Sequence, residues 1–411
     1  MKFITSAVKS CAARTGTLTE FERIPTICFE TPLSLIYTKG GLVPHLTKDA
    51  FERVTKEPQF LSVSLPSTML MYTAMKDIGV NFANFVSMQE HINFLLVTDP
   101  AYLTRSGFQK LDTIAVWTKT GRHTMSSKDY MDIVETFKPD CYVALCDGDT
   151  NINTSKKRVM KAVNRSNILF EQCLARHSTS DNLKSTGLLA AIEGGYNMDA
   201  RLESINYLKD KPVVGYVIDG LHNNGPDVQN ISPQQVEGII KQTISLLPAE
   251  KLKVSMGCWN PLTVLNLIEL GVDIFDTSYP YVAAMNAEAL TFLCDHSTCN
   301  NKSYVILFKE KRYIEDFSPI CSHCECLTCK NHTRAYIHHL QNTREMLFEI
   351  LLMIHNIHQY LEFFKAIREN IKNGTFDQYK QKIGLKFENT RITESNGTDK
   401  IDVKEVNTIH A

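Results

Sequence analysis

No sign of charge dominates this chain: 44 lysines and arginines stand against 45 aspartates and glutamates, a net charge of −1 over 411 residues. A polyanion therefore finds no global attraction, and any nucleic-acid contact must come from local patches. Two are present, Lys156, Lys157, Arg158, Lys161 and Arg165 on one predicted helix and Lys309, Lys311 and Arg312 further on. Charge runs of this size are usually solvated faces. Long apolar runs are missing too. The most apolar helical stretch, residues 346–364, is interrupted by Glu349, His355, Asn356, His358 and Gln359, which argues against a bilayer span. The opening Met1-Lys2-Phe3-Ile4-Thr5 lacks the apolar core and cleavage pattern of a secretory leader. The twelve cysteines are accordingly expected in a reducing, intracellular setting rather than as a disulfide framework. Finally, no Gly-x-Gly-x-x-Gly follows the first strand, which disfavours a dinucleotide fold.

What is present suffices for a large core, since 43% of residues are apolar. The length fits either one barrel with additions or two domains. From residue 141 onward short β-branched runs alternate with amphipathic helices: strands are predicted at 141–146, 188–192, 213–218, 252–256 and 272–275. Strand, helix, strand at this spacing means right-handed parallel crossovers. Weaker candidates at 33–37, 61–65, 94–97 and 113–117 bring the number to about eight. The expected fold is α/β, a closed (β/α)8, TIM-like barrel over residues 1–300.

Four of these strands end in a carboxylate: Asp147, Glu193, Asp219 and Asp276. In a barrel the C-terminal strand ends share one mouth, where active sites are built, so the four are expected to converge. Helix capping is the plainer account for one or two of them.

Past the barrel comes Cys321-Ser322-His323-Cys324-Glu325-Cys326-Leu327-Thr328-Cys329, four thiols in nine residues. Packed thiolates repel one another unless a soft or borderline cation neutralises them, and zinc is the simplest such cation. Two Cys-x-x-Cys knuckles separated by Glu325 alone would struggle to wrap one ion, so a ligand is expected from elsewhere. Residues 334–372 read as one long helix carrying His338, His339, His355 and His358; its ends lie too far apart for more than one to reach the thiols. Residues 301–372 are thus expected to form a zinc-binding subdomain with a closing helix, and the polar stretch 373–411 a partly ordered tail.

Strand-end acids together with Cys-x-Cys-x-x-Cys and a histidine one helix later resemble the tRNA-guanine transglycosylase family. The flanking text agrees over most of the chain, in Ala335-Tyr336-Ile337-His338-His339-Leu340 and Ile354-His355-Asn356-Ile357-His358. By that resemblance one structural Zn2+ per chain is held by Cys324, Cys326, Cys329 and His355, with Cys321 a spectator. Asp276, in Gly271-Val272-Asp273-Ile274-Phe275-Asp276, takes the place of the carboxylate nucleophile that attacks the ribose of a tRNA guanosine. Asp147 takes that of the base-recognition aspartate.

The departures point elsewhere. The family's Asp-Ser-Gly-Gly-Phe-Gln loop appears as Thr104-Arg105-Ser106-Gly107-Phe108-Gln109, without its acid/base carboxylate. Glu193 replaces a glutamine and Asp219 a glycine of the base-binding turns, and the arginines expected after Asp276 are missing. Such changes are similar to those of the family's non-catalytic accessory branch, in which Asp276 and Asp147 are vestigial. The resemblance then implies a heterodimer with a catalytic sister subunit, exchanging guanine for queuine at the tRNA wobble position; a homodimer is the form expected alone. It also implies a cytoplasmic location with peripheral association at the mitochondrial outer membrane. An active transglycosylase using Asp276 is the alternative. A metal-dependent hydrolase ranks last, because His222 is the only obvious histidine near a strand end.

Overall fold

The computed structural model describes residues 1–6, 13–293 and 304–396. Eight parallel strands close into a barrel: β1 (Leu33–Thr38), β2 (Phe60–Ser64), β3 (Ile92–Leu96), β4 (Cys141–Val143), β5 (Gly187–Ile192), β6 (Gly215–Ile218), β7 (Leu252–Val254) and β8 (Ile274–Asp276). Each strand pairs with its successor, and β8 closes on β1 in the register Ile274↔Leu33, Phe275↔Ser34 and Asp276↔Leu35. All eight are buried on both faces, which is why they read as continuous apolar runs instead of alternating ones. Helices Lys156–Thr179, Met198–Leu208, Pro233–Leu246 and Pro261–Glu269 follow β4 to β7 on the outside. An antiparallel sheet of Lys2–Ser6, Thr15–Thr19 and Phe29–Thr31 covers the opposite end, where Arg14 holds the buried Asp273 through two hydrogen bonds of 2.8 and 2.6 Å.

One expected barrel strand lies elsewhere. Residues 113–117 fall in Thr113–Thr118, which pairs antiparallel with Gly121–Ser126 in a hairpin outside the barrel. A parallel neighbour needs a crossover of a dozen residues or more, whereas this run turns back at once through Lys119 and Thr120. The other eight candidates make up the barrel, and the chain returns to it at β4 through helix Ser127–Phe137.

After β8 the chain forms helix Ser278–Met285 and strand Glu288–Leu290, which pairs with Val305–Leu307. The cysteine segment follows. The single helix expected over 334–372 is two, Arg334–Thr343 and Leu347–Asn373. Arg344 breaks it in the left-handed region (φ 57°), and its N–H turns back on Gln341 and Leu340. Helix Leu347–Asn373 lies against helix Ser278–Met285, and a continuous apolar core runs from β1 and β8 to Cys324, Cys326 and Cys329. The stretch read as a polar tail contains helix Phe376–Asn396, anchored by the buried Phe376 and Ile383. Residues 397–411 and the expected boundary at 300 lie outside the described residues.

Candidate metal centre and barrel mouth

Thr328 and His355 fix the cysteine knuckle on the long helix. The Thr328 hydroxyl donates to Leu351 O at 2.7 Å, while Cys326 starts helix Leu327–Asn331 and its Sγ accepts from Cys329 N at 3.3 Å. His355 Nδ1 then stands 3.8, 3.5 and 3.3 Å from the sulfurs of Cys324, Cys326 and Cys329. Tetrahedral zinc with bonds near 2.3 Å to sulfur and 2.05 Å to nitrogen would set these separations at roughly 3.6 Å. The four ligand atoms all lie within 4.8 Å of one another, and the group is buried. His355 Nε2 donates to Leu290 O at 2.8 Å, which turns the Nδ1 lone pair toward the sulfurs. Asn356 completes the staple, accepting from Leu290 N at 2.9 Å and donating to Glu288 O at 2.9 Å.

The donor set calls for a cation. With protons alone, contacts from Cys326 and Cys329 drive Cys324 far below the thiol range, while Cys324 and Cys326 drive Cys329 up. Burial disfavours a charged His355, yet the Cys324 and Cys326 sulfurs outweigh it and push its pKa up to about 10. The cluster thus favours positive charge among its sulfurs, which a divalent ion would supply by binding the thiolates and the neutral ring together. Of the other helix histidines, His338 bonds Phe308 O at 2.7 Å and His339 is exposed. Cys321 stands outside the four-ligand group.

At the barrel mouth Asp147, Glu193 and Asp219 gather at adjacent strand ends while Asp276 ends β8, and capping does not explain the first three. The helices after β4, β5, β6 and β7 begin at Ser155, Asn197, Ser232 and Asn260. Asp276 alone acts partly in that way: Oδ1 accepts from Ser278 N and Oδ2 from Gly257 N, each at 2.7 Å. Burial raises its pKa from 3.8 to about 6. A carboxyl whose folded pKa is raised contributes stability below pH 4 that is lost as pH climbs through 6. Between pH 4 and pH 7, therefore, the wild-type chain should lose about 2 kcal/mol relative to Asp276→Asn, a difference that denaturant titrations of both chains will measure. Equal pH slopes would refute the shift.

Asp147 is saturated. Arg158 grips it with two hydrogen bonds, Nη2 to Oδ1 at 2.7 Å and Nη1 to Oδ2 at 2.9 Å, and Arg165 Nη1 makes a third to Oδ2. The basic run on this helix is thus split: Lys156, Lys157 and Lys161 are exposed, while both arginines point inward. Asp149 accepts from Gly107 N at 2.8 Å and Asn223 Nδ2 at 2.9 Å, fastening the Thr104–Gln109 loop across the mouth. The Thr104 hydroxyl accepts from Asn224 Nδ2 at 3.2 Å, and its backbone N–H donates to Asn223 O at 2.7 Å. A purine edge could reach Asp147 only by displacing two guanidiniums, and breaking a buried ion pair costs about 3–5 kcal/mol.

Two mouth residues escaped the sequence reading. Asp99 accepts from Ser64 Oγ at 2.8 Å and Tyr37 OH at 3.0 Å; it follows β3 with Thr98 and Pro100 around it, and a wider window past the strand would have caught it. Arg201, fully buried, bonds Gly195 O at 2.7 Å, Ile192 O at 3.1 Å and Asp219 O at 2.8 Å. Nothing in its helical text announces that.

Comparisons with known proteins agree with this geometry. The family model described as queuine tRNA-ribosyltransferase matches residues 9–389. A protein of Anopheles gambiae named queuine tRNA-ribosyltransferase accessory subunit 2 is 40% identical over 383 residues, covering 92% of this chain and 89% of its own length. One of the same name from Drosophila melanogaster is 39% identical over 386 residues, covering 92% and 91%.

Proposed function

This chain belongs to the queuine tRNA-ribosyltransferase family, and from that premise we propose that it is the non-catalytic subunit of a heterodimer that exchanges guanine for queuine at the wobble position of tRNA. The observation that carries this is the locking of Asp147 by Arg158 and Arg165. The residue that should read a base is already bound, and Thr104 offers no proton. What remains for this subunit is to hold its partner and support tRNA binding.

In this reading one Zn2+ is held by Cys324, Cys326, Cys329 and His355, and its chemistry is structural: it neutralises the thiolates and ties the knuckle to helix Leu347–Asn373. No open coordination position remains for catalysis. Around the knuckle, apolar side chains face solvent, with Phe317 75% and Met346 81% exposed and Ile314, Tyr336 and Leu347 also accessible. Large exposed apolar side chains of this kind are the material of a partner surface. Among the described residues no helix is long and apolar enough to cross a membrane. A cytoplasmic heterodimer that meets the mitochondrial outer membrane peripherally is the location that the family resemblance suggests.

The test is co-elution with the catalytic subunit. The wild-type chain should form a one-to-one complex, and Phe317→Glu combined with Met346→Glu should weaken it by roughly a hundredfold, about 2.7 kcal/mol, without lowering the isolated chain's melting temperature. A stable homodimer that ignores the catalytic chain would refute the proposal.

A further inference from the structure

Beside the locked Asp147, the ends of β4, β5 and β6 bring Cys146, Glu193 and Asp219 together, with one ligand atom from each inside 4.8 Å of the others. Glu193 is fully buried, and neither of its carboxylate oxygens meets a hydrogen-bond donor. Its neighbours are better served: Asp147 holds two arginines, and Asp219 accepts from Gly220 N at 2.7 Å and from the Cys146 thiol at 3.9 Å. A buried carboxylate without any donor is an expensive feature to keep, whether charged or neutral.

The space around the trio is cleared for it. A Cβ on Gly148 would lie 2.4 Å from Asp219 Oδ2, and one on Gly220, whose φ is +75°, would lie 2.7 Å from Glu193 Oε2. Arg201 is close enough to act on both carboxylates, yet its N–H groups go to the carbonyls of Gly195, Ile192 and Asp219. Positive charge is therefore near, but no donor fills the gap between the three ligand atoms.

We propose that Cys146, Glu193 and Asp219 form a second divalent-cation site, separate from the cysteine knuckle and suited to zinc or a similar borderline ion. Bonds of 2.0–2.3 Å place neighbouring ligand atoms roughly 3–4 Å apart, and Cys146 Sγ already stands 3.9 Å from Asp219 Oδ2. Thiol with carboxylate selects a transition ion over magnesium or calcium. On binding, the Cys146 proton leaves to solvent together with any proton held by Glu193 or Asp219; the ion with one thiolate and two carboxylates then carries one net negative charge, which Arg201 balances. Three protein ligands leave a fourth position to solvent. The ion would pin three adjacent strand ends and fill the region where Glu193 and Asp219 already exclude a base.

The rival arrangement is a proton in place of the ion, toward which burial pushes all three groups by raising the pKa values of Glu193, Asp219 and the Cys146 thiol. Metal counting on the full chain, dialysed against zinc with the knuckle loaded, separates the two. Wild type should hold two equivalents; Glu193→Gln and Cys146→Ser should each hold one. With cobalt as the probe, Cys146→Ser should lose the part of the thiolate-to-cobalt absorption contributed by the second ion. Zinc at roughly a hundredfold excess over Kd should raise the wild-type melting temperature by about 3 °C and leave Glu193→Gln unmoved. A single equivalent in wild type, or a second one that survives both substitutions, overturns the proposal. So does a Glu193→Gln chain more stable than wild type with zinc moving neither, because the buried acid is then simply neutral.

Discussion

Cys326→Ala should lose the knuckle's equivalent of zinc and, with it, the soluble fold. Structural zinc in small cysteine and histidine sites contributes about 10–16 kcal/mol, as much as or more than the 5–15 kcal/mol by which a typical domain is stable. Here the knuckle is no appendage: Cys324, Cys326 and Cys329 share one apolar core with β1, β8 and helix Leu347–Asn373. Removing one sulfur leaves two buried thiols and His355 without the ion that balances them, so the disturbance spreads into the barrel end through Leu290 and Asn356. Metal analysis and thermal unfolding of the purified chain will read both effects. His355→Ala should behave in the same way, and Cys321→Ala should keep its zinc. The reverse pattern, metal lost with Cys321 but retained without His355, would show that the ligand set is wrong.

Assayed alone, the chain should not incorporate labelled guanine into tRNA, and Asp276→Ala should change nothing. Mixed with the catalytic subunit it should raise turnover. The sharper version is a rescue that fails. Thr104→Asp restores the carboxylate of the family loop, and a positioned acid/base is worth roughly 10²–10⁴ in rate. It should nevertheless leave the isolated chain silent, because Asp147 stays paired with Arg158 and Arg165 and Glu193 remains buried in the base cradle. Exchange by the Thr104→Asp chain on its own, abolished by Asp276→Ala, would show that a single lost carboxylate had silenced the site and that the ion pairs are no barrier.

Much of this site was legible beforehand because its signals are local. Cysteine spacing names a metal knuckle without reference to the fold, and acids at the ends of four buried strands point to a mouth because strand polarity alone sets which end they occupy. The hairpin at Thr113–Thr118 misled because β propensity says that a strand forms, not which strand it joins. The break at Arg344 was invisible for a similar reason: apolar periodicity continues on both sides of it, and one residue in the left-handed region changes the direction of the chain without changing its composition.

By itself, then, the sequence determined the barrel class and a cysteine knuckle fit for a metal, both of which depend on residue type and short-range spacing, while the four-ligand set and the lost acid at position 104 came from the family resemblance. Only the tertiary structure decided that Arg158 and Arg165 face inward, that Asp147 is already bound, and that Glu193 stands buried without a donor. Those facts are pairings between strand ends and helices far apart in the chain. They follow from closure of the barrel, which fixes where each charge is desolvated and which partner lies within hydrogen-bond reach.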